Sequence, residues 1–347
     1  MRCLTLADAL KKHGHRCLFI SRSHPGNLIA QVVLRGYQIA ELPCSNDFKT
    51  LDTEAPAHAA WLGIDWQTDA EQTQVVLEGL DVDWLVVDHY ALEQRWQQQL
   101  QPCYQKLMVI DDLADREHRC HLLLDQTYGR KAETYRSKVP ASTELLTGAE
   151  YALLRPEFAE QRQASFARRG DSSLKRLLIN LGGVDKDNIT SRVLHALAQS
   201  SLPSDCAITV VMGATAPWID RVTELACSIS WQVDVKTNAA NMAELMCESD
   251  LAIGAAGSTS WERCCLGLPT IMVVLADNQK TIAEQLQQAG AAMVIMELAQ
   301  LDQKLPMMVK QLATQAQCLT AISQQARQVT DGAGVLRVVE RMEAMHD

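Results

Sequence analysis

The chain has 347 residues, 47% hydrophobic and 21% charged, enough to bury two ordinary globular cores at roughly 150 residues per domain. That balance excludes disordered, collagen-like and fibrous classes. With 32 Lys and Arg against 42 Asp and Glu, the net charge of −10 leaves no general basic surface for nucleic acid, only room for a local basic pocket around one phosphorylated small molecule.

From the N-terminus, Cys3, Leu6, Ala7 and Leu10 recur at helical spacing, and Lys11, Lys12 and Gly14 suit a helix C-terminus. Asp8, Lys11 and Lys12 interrupt any apolar core of a secretory leader. Short continuous apolar runs at 17–21, 84–88, 107–111 and 122–125 predict strands buried on both faces. Helical segments at 26–35, 71–79 and 92–100 fall between them. The second half repeats the scheme, with strands at 176–181, 207–212, 251–254 and 270–275. Its helices are expected at 189–199, 218–227, 242–247, 259–265 and 281–288. The Gln-rich, amphipathic 298–328 precedes a break at 331–334 and a last helix at 335–345.

This alternation predicts an α/β protein of two doubly wound domains facing a cleft. The expected boundaries are 1–157 for the first domain and 158–175 for a polar linker, then 176–335 for the second domain and 336–347 for a terminal helix packing back on the first. A doubly wound domain ordinarily opens with a strand and a glycine turn. Here residues 1–12 already read as the following helix, so the first strand is expected to be missing.

Eleven cysteines without any C-x-x-C pattern predict reduced thiols in a cytoplasmic protein. His118, Cys120 and His121 cluster, but no second ligand pair stands at a structural-zinc spacing, so no metal is expected. No apolar run approaches the ~20 residues of a membrane span, and no membrane insertion is expected.

Loops after parallel strands are where ligands are sought. In 250–274, a strand ends at Gly254 and Ala255-Ala256-Gly257-Ser258 turns into a helix near Thr259. Small residues and a helix N-terminus suit a diphosphate, and Glu262, one turn on, suits a ribose diol. A tight strand-to-helix turn with an exposed Glu would read the same way. Gly182-Gly183 after the first strand of the second half permits close backbone approach to a ligand or simply forms a βα turn, with Asp187 as the expected cap of the next helix. The dinucleotide fingerprint, the P-loop and the G-x-S-x-G elbow are all absent. In the first half, Asp88-His89-Tyr90 places the Tyr90 hydroxyl toward a substrate, and Asp111-Asp112 suits a sugar hydroxyl or an arginine. Arg155 suits a phosphate or a pairing with Glu157, and Asn278 a substrate or a helix cap.

Taken together, the chain resembles the UDP-2,4-diacetamido-2,4,6-trideoxy-β-L-altropyranose hydrolases of pseudaminic acid biosynthesis, relatives of the glycosyltransferase-B enzymes. The resemblance rests on 2–7, Asp88-His89-Tyr90, Asp111-Asp112, 122–126 and 151–158. It extends through 180–183, 255–262, Gly267-Leu268-Pro269 and Asn278-Gln279. It implies inverting hydrolysis of a UDP-sugar without metal or other cofactor. Gly182, Gly183, Ser258, Thr259 and Glu262 would bind UDP, and Tyr90, Arg155 and Asn278 would face the sugar or diphosphate. The family's opening G-x-G-H-x-x-R-x-L-x-L-A aligns its Arg with Arg2, so the His that would activate water falls two positions before Met1. The catalytic base is therefore not assigned within this chain, and a misplaced start or a truncation is the expectation. A UDP-sugar-dependent glycosyltransferase and a non-catalytic UDP-sugar-binding protein are the alternatives.

Overall fold

A computed structural model describes residues 1–44, 56–169 and 173–345. They divide into two compact units, Met1–Leu153 with Val335–Asp347, and Leu154–Gly334.

The first unit begins with helix α1 (Arg2–Lys12), then β1 (Leu18–Arg22), α2 (Ile29–Leu34) and β2 (Gln38–Leu42). It continues with α3 (Trp66–Leu77), β3 (Trp84–Val87), α4 (Gln94–Gln99), β4 (Lys106–Ile110), β5 (Leu122–Asp125) and β6 (Glu144–Thr147). All pairings are parallel, in two sheets ordered β1-β2 and β3-β4-β5-β6. Helix α1 serves both. Leu4 and Ala7 pack with Val32 and Tyr37, while Leu6 and Ala9 pack with Met108, Ile110, Leu122 and Leu124. The last helix, Gly334–Ala344, adds Val335, Val338, Val339 and Met342 to the second of these cores. The short strands β2 and β6 were not expected from the sequence; their apolar runs are brief and partly exposed.

The second unit runs α5 (Pro156–Arg168), β7 (Arg176–Asn180), α6 (Ile189–Ala198), β8 (Ala207–Met212), α7 (Ile219–Ser228) and β9 (Val233–Thr237). Then come α8 (Met242–Glu248), β10 (Leu251–Ala255), α9 (Thr259–Cys265), β11 (Thr270–Val273), α10 (Lys280–Gln288), β12 (Met293–Ile295), α11 (Leu301–Thr314) and α12 (Ala316–Ala326). Its six parallel strands lie in the order β12-β11-β10-β7-β8-β9, the doubly wound order that reverses between the first and fourth strands. Ile179, Val210, Ile253 and Ile271 from the strands meet Val193, Leu197, Val222, Leu305 and Val309 from the helices in one core.

The polar segment expected as a linker at 158–175 is a correction. Its first part is helix α5, and residues 170–172 lie outside the described residues. The physical reason is a set of side chains that complete other helix ends, whose last carbonyls lack intrahelical partners. Arg162 donates to the carbonyls of Cys265, Thr330 and Arg327 at 2.5, 2.8 and 2.7 Å. Arg169 donates to Leu266, Ser249 and Met246 at 3.0, 2.7 and 3.0 Å, and the Ser165 hydroxyl to Leu266 at 2.7 Å. Residues that look solvated in sequence thereby pin α5 against the ends of α8, α9 and α12.

Among the described residues no helix is long and apolar enough to cross a membrane. His118 is buried and takes a hydrogen bond at Nδ1 from Gln97 at 2.9 Å. His121 accepts at Nδ1 from the Leu107 N–H at 3.0 Å. Burial lowers the His118 pKa from 6.5 to about 4, with Arg116 and Lys138 acting in the same sense and Asp111 and Asp115 against it. The unfolded chain therefore takes up the proton that folded His118 refuses. Its contribution is intact above about pH 6.5 and lost as pH falls toward 4, by at most about 3 kcal/mol. His118→Gln should flatten this part of the acid dependence, read as the difference between variant and parent urea midpoints from pH 4.5 to 7.

Candidate active site

In the second unit, β7 and β10 are neighbours, with Asn180 opposite Gly254. Here the strand order reverses, so the two following connections leave in opposite directions and open a crevice at the carboxyl edge. After β7, Gly182 takes φ +104°, a backbone that side chains other than glycine rarely adopt, and a Cβ on Gly183 would meet nothing within 4 Å. The Gly183 carbonyl accepts from the Gly213 N–H at 2.9 Å, and a Cβ on Gly213 would lie 2.2 Å from that oxygen. Glycine at 213 is thus what lets the loops after β7 and β8 close on each other. Asp185, not Asp187, caps α6. Its carboxylate accepts from the N–H groups of Ile189 and Thr190 at 2.8 and 2.9 Å, because the loop turns through positive φ at Asp185 and Asn188.

After β10, the loop Ala256–Gly257–Ser258 leads into α9, whose N-terminus has no side-chain cap. Ser258 is exposed, Thr259 half-buried, and a Cβ on Gly257 would meet nothing. Beneath this loop lies a residue that sequence reasoning missed. Arg263 is 2% exposed and has no ion pair with a carboxylate among the described residues. Its guanidinium donates to the Ala255 carbonyl at 2.7 Å and to the Thr259 and Ser260 hydroxyls, each at 3.2 Å. Burial lowers its pKa to about 10, which still leaves it charged at neutral pH. A cation with no carboxylate in ion-pair contact among the described residues, attracted only by neighbouring Glu262, under a glycine-containing loop and an uncapped helix is an arrangement that favours an anion above it. The only signal in the sequence was an arginine between Glu262 and the apolar Cys264-Cys265, and it does not reveal which face it occupies.

Glu262, one turn into α9, is largely sheltered. Burial raises its carboxyl pKa, opposed by Arg155 and Arg263. Arg155 pairs with Glu157 at 2.9 Å and approaches Glu262 at 3.8 Å, so the pairing expected from the sequence forms and a second carboxylate joins it. Asn278 lies in the exposed turn after β11, next to β10 in the sheet. It does not cap α10; Gln279 occupies that position, and its side chain accepts from the Leu275 N–H at 3.0 Å. The carboxyl ends of β7, β10 and β11 thus carry Gly182 and Gly183, Ser258 to Glu262, and Asn278.

In the first unit, Tyr90 follows β3 and donates to Asp112 Oδ1 at 2.6 Å. Arg2 grips Asp88 at 2.6 and 3.0 Å and Asp112 at 3.0 Å. The arginine partner allowed for Asp112 in sequence is therefore Arg2, from the first turn of α1. Burial and Asp112 push the Tyr90 pKa up, so the hydroxyl stays protonated and acts as a donor. His89 accepts at Nδ1 from the Ala91 N–H at 3.1 Å, and burial lowers its pKa. Deeper in the same edge, the Tyr135 hydroxyl lies 2.8 Å from both Asp111 and Asp125. No group of three or more His, Cys, Asp or Glu among the described residues could hold a metal ion.

Residues 177–336 match the Glycosyltransferase family 28 C-terminal domain. The chain is 27% identical over 283 residues to the uncharacterized protein MJ1062 of Methanocaldococcus jannaschii, covering 80% of this chain and 52% of that one. It is 26% identical over 216 residues to the spore coat polysaccharide biosynthesis protein SpsG of Bacillus subtilis, covering 60% and 61%. A third relative is the UDP-2,4-diacetamido-2,4,6-trideoxy-β-L-altropyranose hydrolase of Campylobacter jejuni, 25% identical over 207 residues and covering 59% and 71%. The chain therefore spans about half to three-fifths of the first two relatives. Among solved structures, Acinetobacter baumannii MurG superposes with a TM-score of 0.66 at 17% identity, covering 99% of this chain and 95% of that one. The calicheamicin glycosyltransferase CalG4 gives 0.62 at 15%, covering 98% and 93%. The fold is that of the glycosyltransferase-B enzymes, an α/β architecture with two Rossmann-like domains.

The loop geometry makes a direct prediction. Gly213→Ala should cost about 1–3 kcal/mol, because its Cβ meets backbone, and Gly254→Ala a similar amount, because its Cβ would lie 2.5 Å from the tethered Arg263 guanidinium. Gly257→Ala, facing open space, should stay within about 0.5 kcal/mol. Urea denaturation of the three variants separates these outcomes.

Proposed function

We propose that this chain is a UDP-sugar hydrolase whose substrate is UDP-2,4-diacetamido-2,4,6-trideoxy-β-L-altropyranose, cleaved with inversion and without a metal, as in pseudaminic acid biosynthesis. The observation that carries the reading is the anion-favouring loop at the β7–β10 reversal, with charged Arg263 beneath it and Glu262 one turn behind. The Campylobacter relative's hydrolase name supports hydrolysis, and the family 28 domain match supports a nucleotide-sugar substrate.

In this reading the N–H groups of Gly183, Ser258 and Thr259 hold the diphosphate, with Gly182 shaping the turn. Glu262 accepts from the ribose hydroxyls. Arg155 and Asn278 face the diphosphate or the sugar. Water attacks the anomeric carbon on the face opposite UDP and loses a proton to solvent, the bond from that carbon to the UDP oxygen breaks, and the electron pair leaves with UDP. Charge growing on the departing phosphate is what the first turn of α9 and the Arg263 guanidinium stabilise, an effect that needs no reorganisation at the moment of reaction.

Glycosyl transfer is the second reading, favoured by the family 28 match; an acceptor hydroxyl then replaces water. The test is incubation with the UDP-sugar, following UDP and the anomeric proton signals of the released sugar. Equimolar UDP and free sugar of inverted configuration are expected. Glu262→Ala should weaken UDP binding about tenfold, the loss of one charge-assisted hydrogen bond. UDP release only on addition of an acceptor would select transfer. UDP binding without release under either condition would select a binding protein, and failure to bind UDP would remove all three readings.

A further inference from the structure

We infer that His58, Trp61 and Tyr90 in the first unit form an aromatic platform that stacks against the apolar face of a pyranose ring. The inference concerns the first unit by itself and goes beyond the proposed function, which rests on loops of the second. Neither His58 nor Trp61 figured in the sequence reasoning.

The three rings pack as a corner. Centroids lie 4.6 Å apart for His58–Trp61, 5.5 Å for His58–Tyr90 and 5.8 Å for Trp61–Tyr90, with planes tilted by 42–45°. Trp61 is 57% exposed, and this is a built exposure. The short turn Ala59–Leu62 that carries it is anchored by buried Leu62, whose carbonyl lies 3.1 Å from His24 Nε2. The turn closes on Gly63 at φ +71°, where a Cβ would lie 2.5 Å from the His24 ring. Tyr90 is fixed from the other side by Asp112, itself held by Arg2. Both faces of the corner are thus held by contacts of the fold itself, and Tyr90 stands at the carboxyl edge of β3, where parallel sheets place ligands.

The surrounding chemistry selects the ligand class. A pyranose presents one face of C–H groups, which an aromatic face attracts, and a rim of hydroxyls that needs donors and acceptors. The His58 ring nitrogens make no hydrogen bond to another described residue, and the Tyr90 oxygen retains an acceptor position beside its bond to Asp112. A cationic ligand is disfavoured, because the Arg116 guanidinium already stands 5.8 Å from the Tyr90 ring and Arg2 lies on the same carboxylates. A stacked nucleobase is the remaining competitor, and it is separable by experiment.

Trp61 is exposed, so Trp61→Ala should leave Tm within about 2 °C. Saturation-transfer NMR with the methyl glycoside of N-acetylglucosamine, on parent, Trp61→Ala and Trp61→Phe, reads the platform, whatever the second unit binds. Saturation of the pyranose ring protons by the parent is expected, with affinity about tenfold weaker in Trp61→Ala and most of the loss recovered in Trp61→Phe. No saturation from the parent, or parent-like affinity of Trp61→Ala, would overturn the inference. So would stronger saturation of uridine than of the glycoside by the parent, lost in Trp61→Ala, which would make the platform a base stacker.

Discussion

The parallel pairing of β7 with β10 is the constraint on which the second unit's candidate site depends. Once these two strands lie side by side, Asn180 opposite Gly254, right-handed crossovers must carry the chain away on opposite faces. The loops at their carboxyl ends then part, and a Cβ on Gly183 or Gly257 there would meet nothing within 4 Å. The pairing also sets a steric demand. Gly254 sits against the Arg263 guanidinium, so the strand can carry nothing larger there while the cation remains in place.

Arginines wholly or half withdrawn from water recur in this unit. Taking a guanidinium out of water is costly unless its donors are satisfied. Arg162 and Arg169 meet that condition with carbonyls at helix ends, and in doing so close α8, α9 and α12 against α5. Among the described residues Arg263 meets it only with one carbonyl and two hydroxyls, and its Nε is without a partner. The first two are mechanical ties. The third has no carboxylate in ion-pair contact among the described residues, only Glu262 nearby, which suits a place where a ligand supplies a further counter-ion.

The first unit solves a different problem with one short helix. Helix α1 packs its two apolar stripes on two separate sheets, and its first residue, Arg2, ties the ends of β3 and β4 through Asp88 and Asp112. The position of Tyr90 follows from that tie, and the aromatic corner follows from Tyr90. A change at Arg2 would therefore reach the platform without touching it.

Strands buried on both faces leave a one-dimensional trace, and the central ones, β4, β5, β7, β8, β10 and β11, were legible as continuous apolar runs. The glycine turn at 182–183 and the small-residue loop before α9 were legible for a similar reason, since close backbone approach restricts residue type locally. Strands β2, β6, β9 and β12 were not, being short or half-exposed. The role of α5 was hidden because an arginine that satisfies distant carbonyls looks in sequence like one that faces water. The cap at Asp185 was hidden because it depends on the positive φ of Asp185 and Asn188. Sequence alone determined the alternation of elements and the loops worth suspecting, because burial and backbone freedom select residues one position at a time. Tertiary structure alone decided which cation lies under which loop and which rings share a corner, because those contacts join residues far apart in the chain.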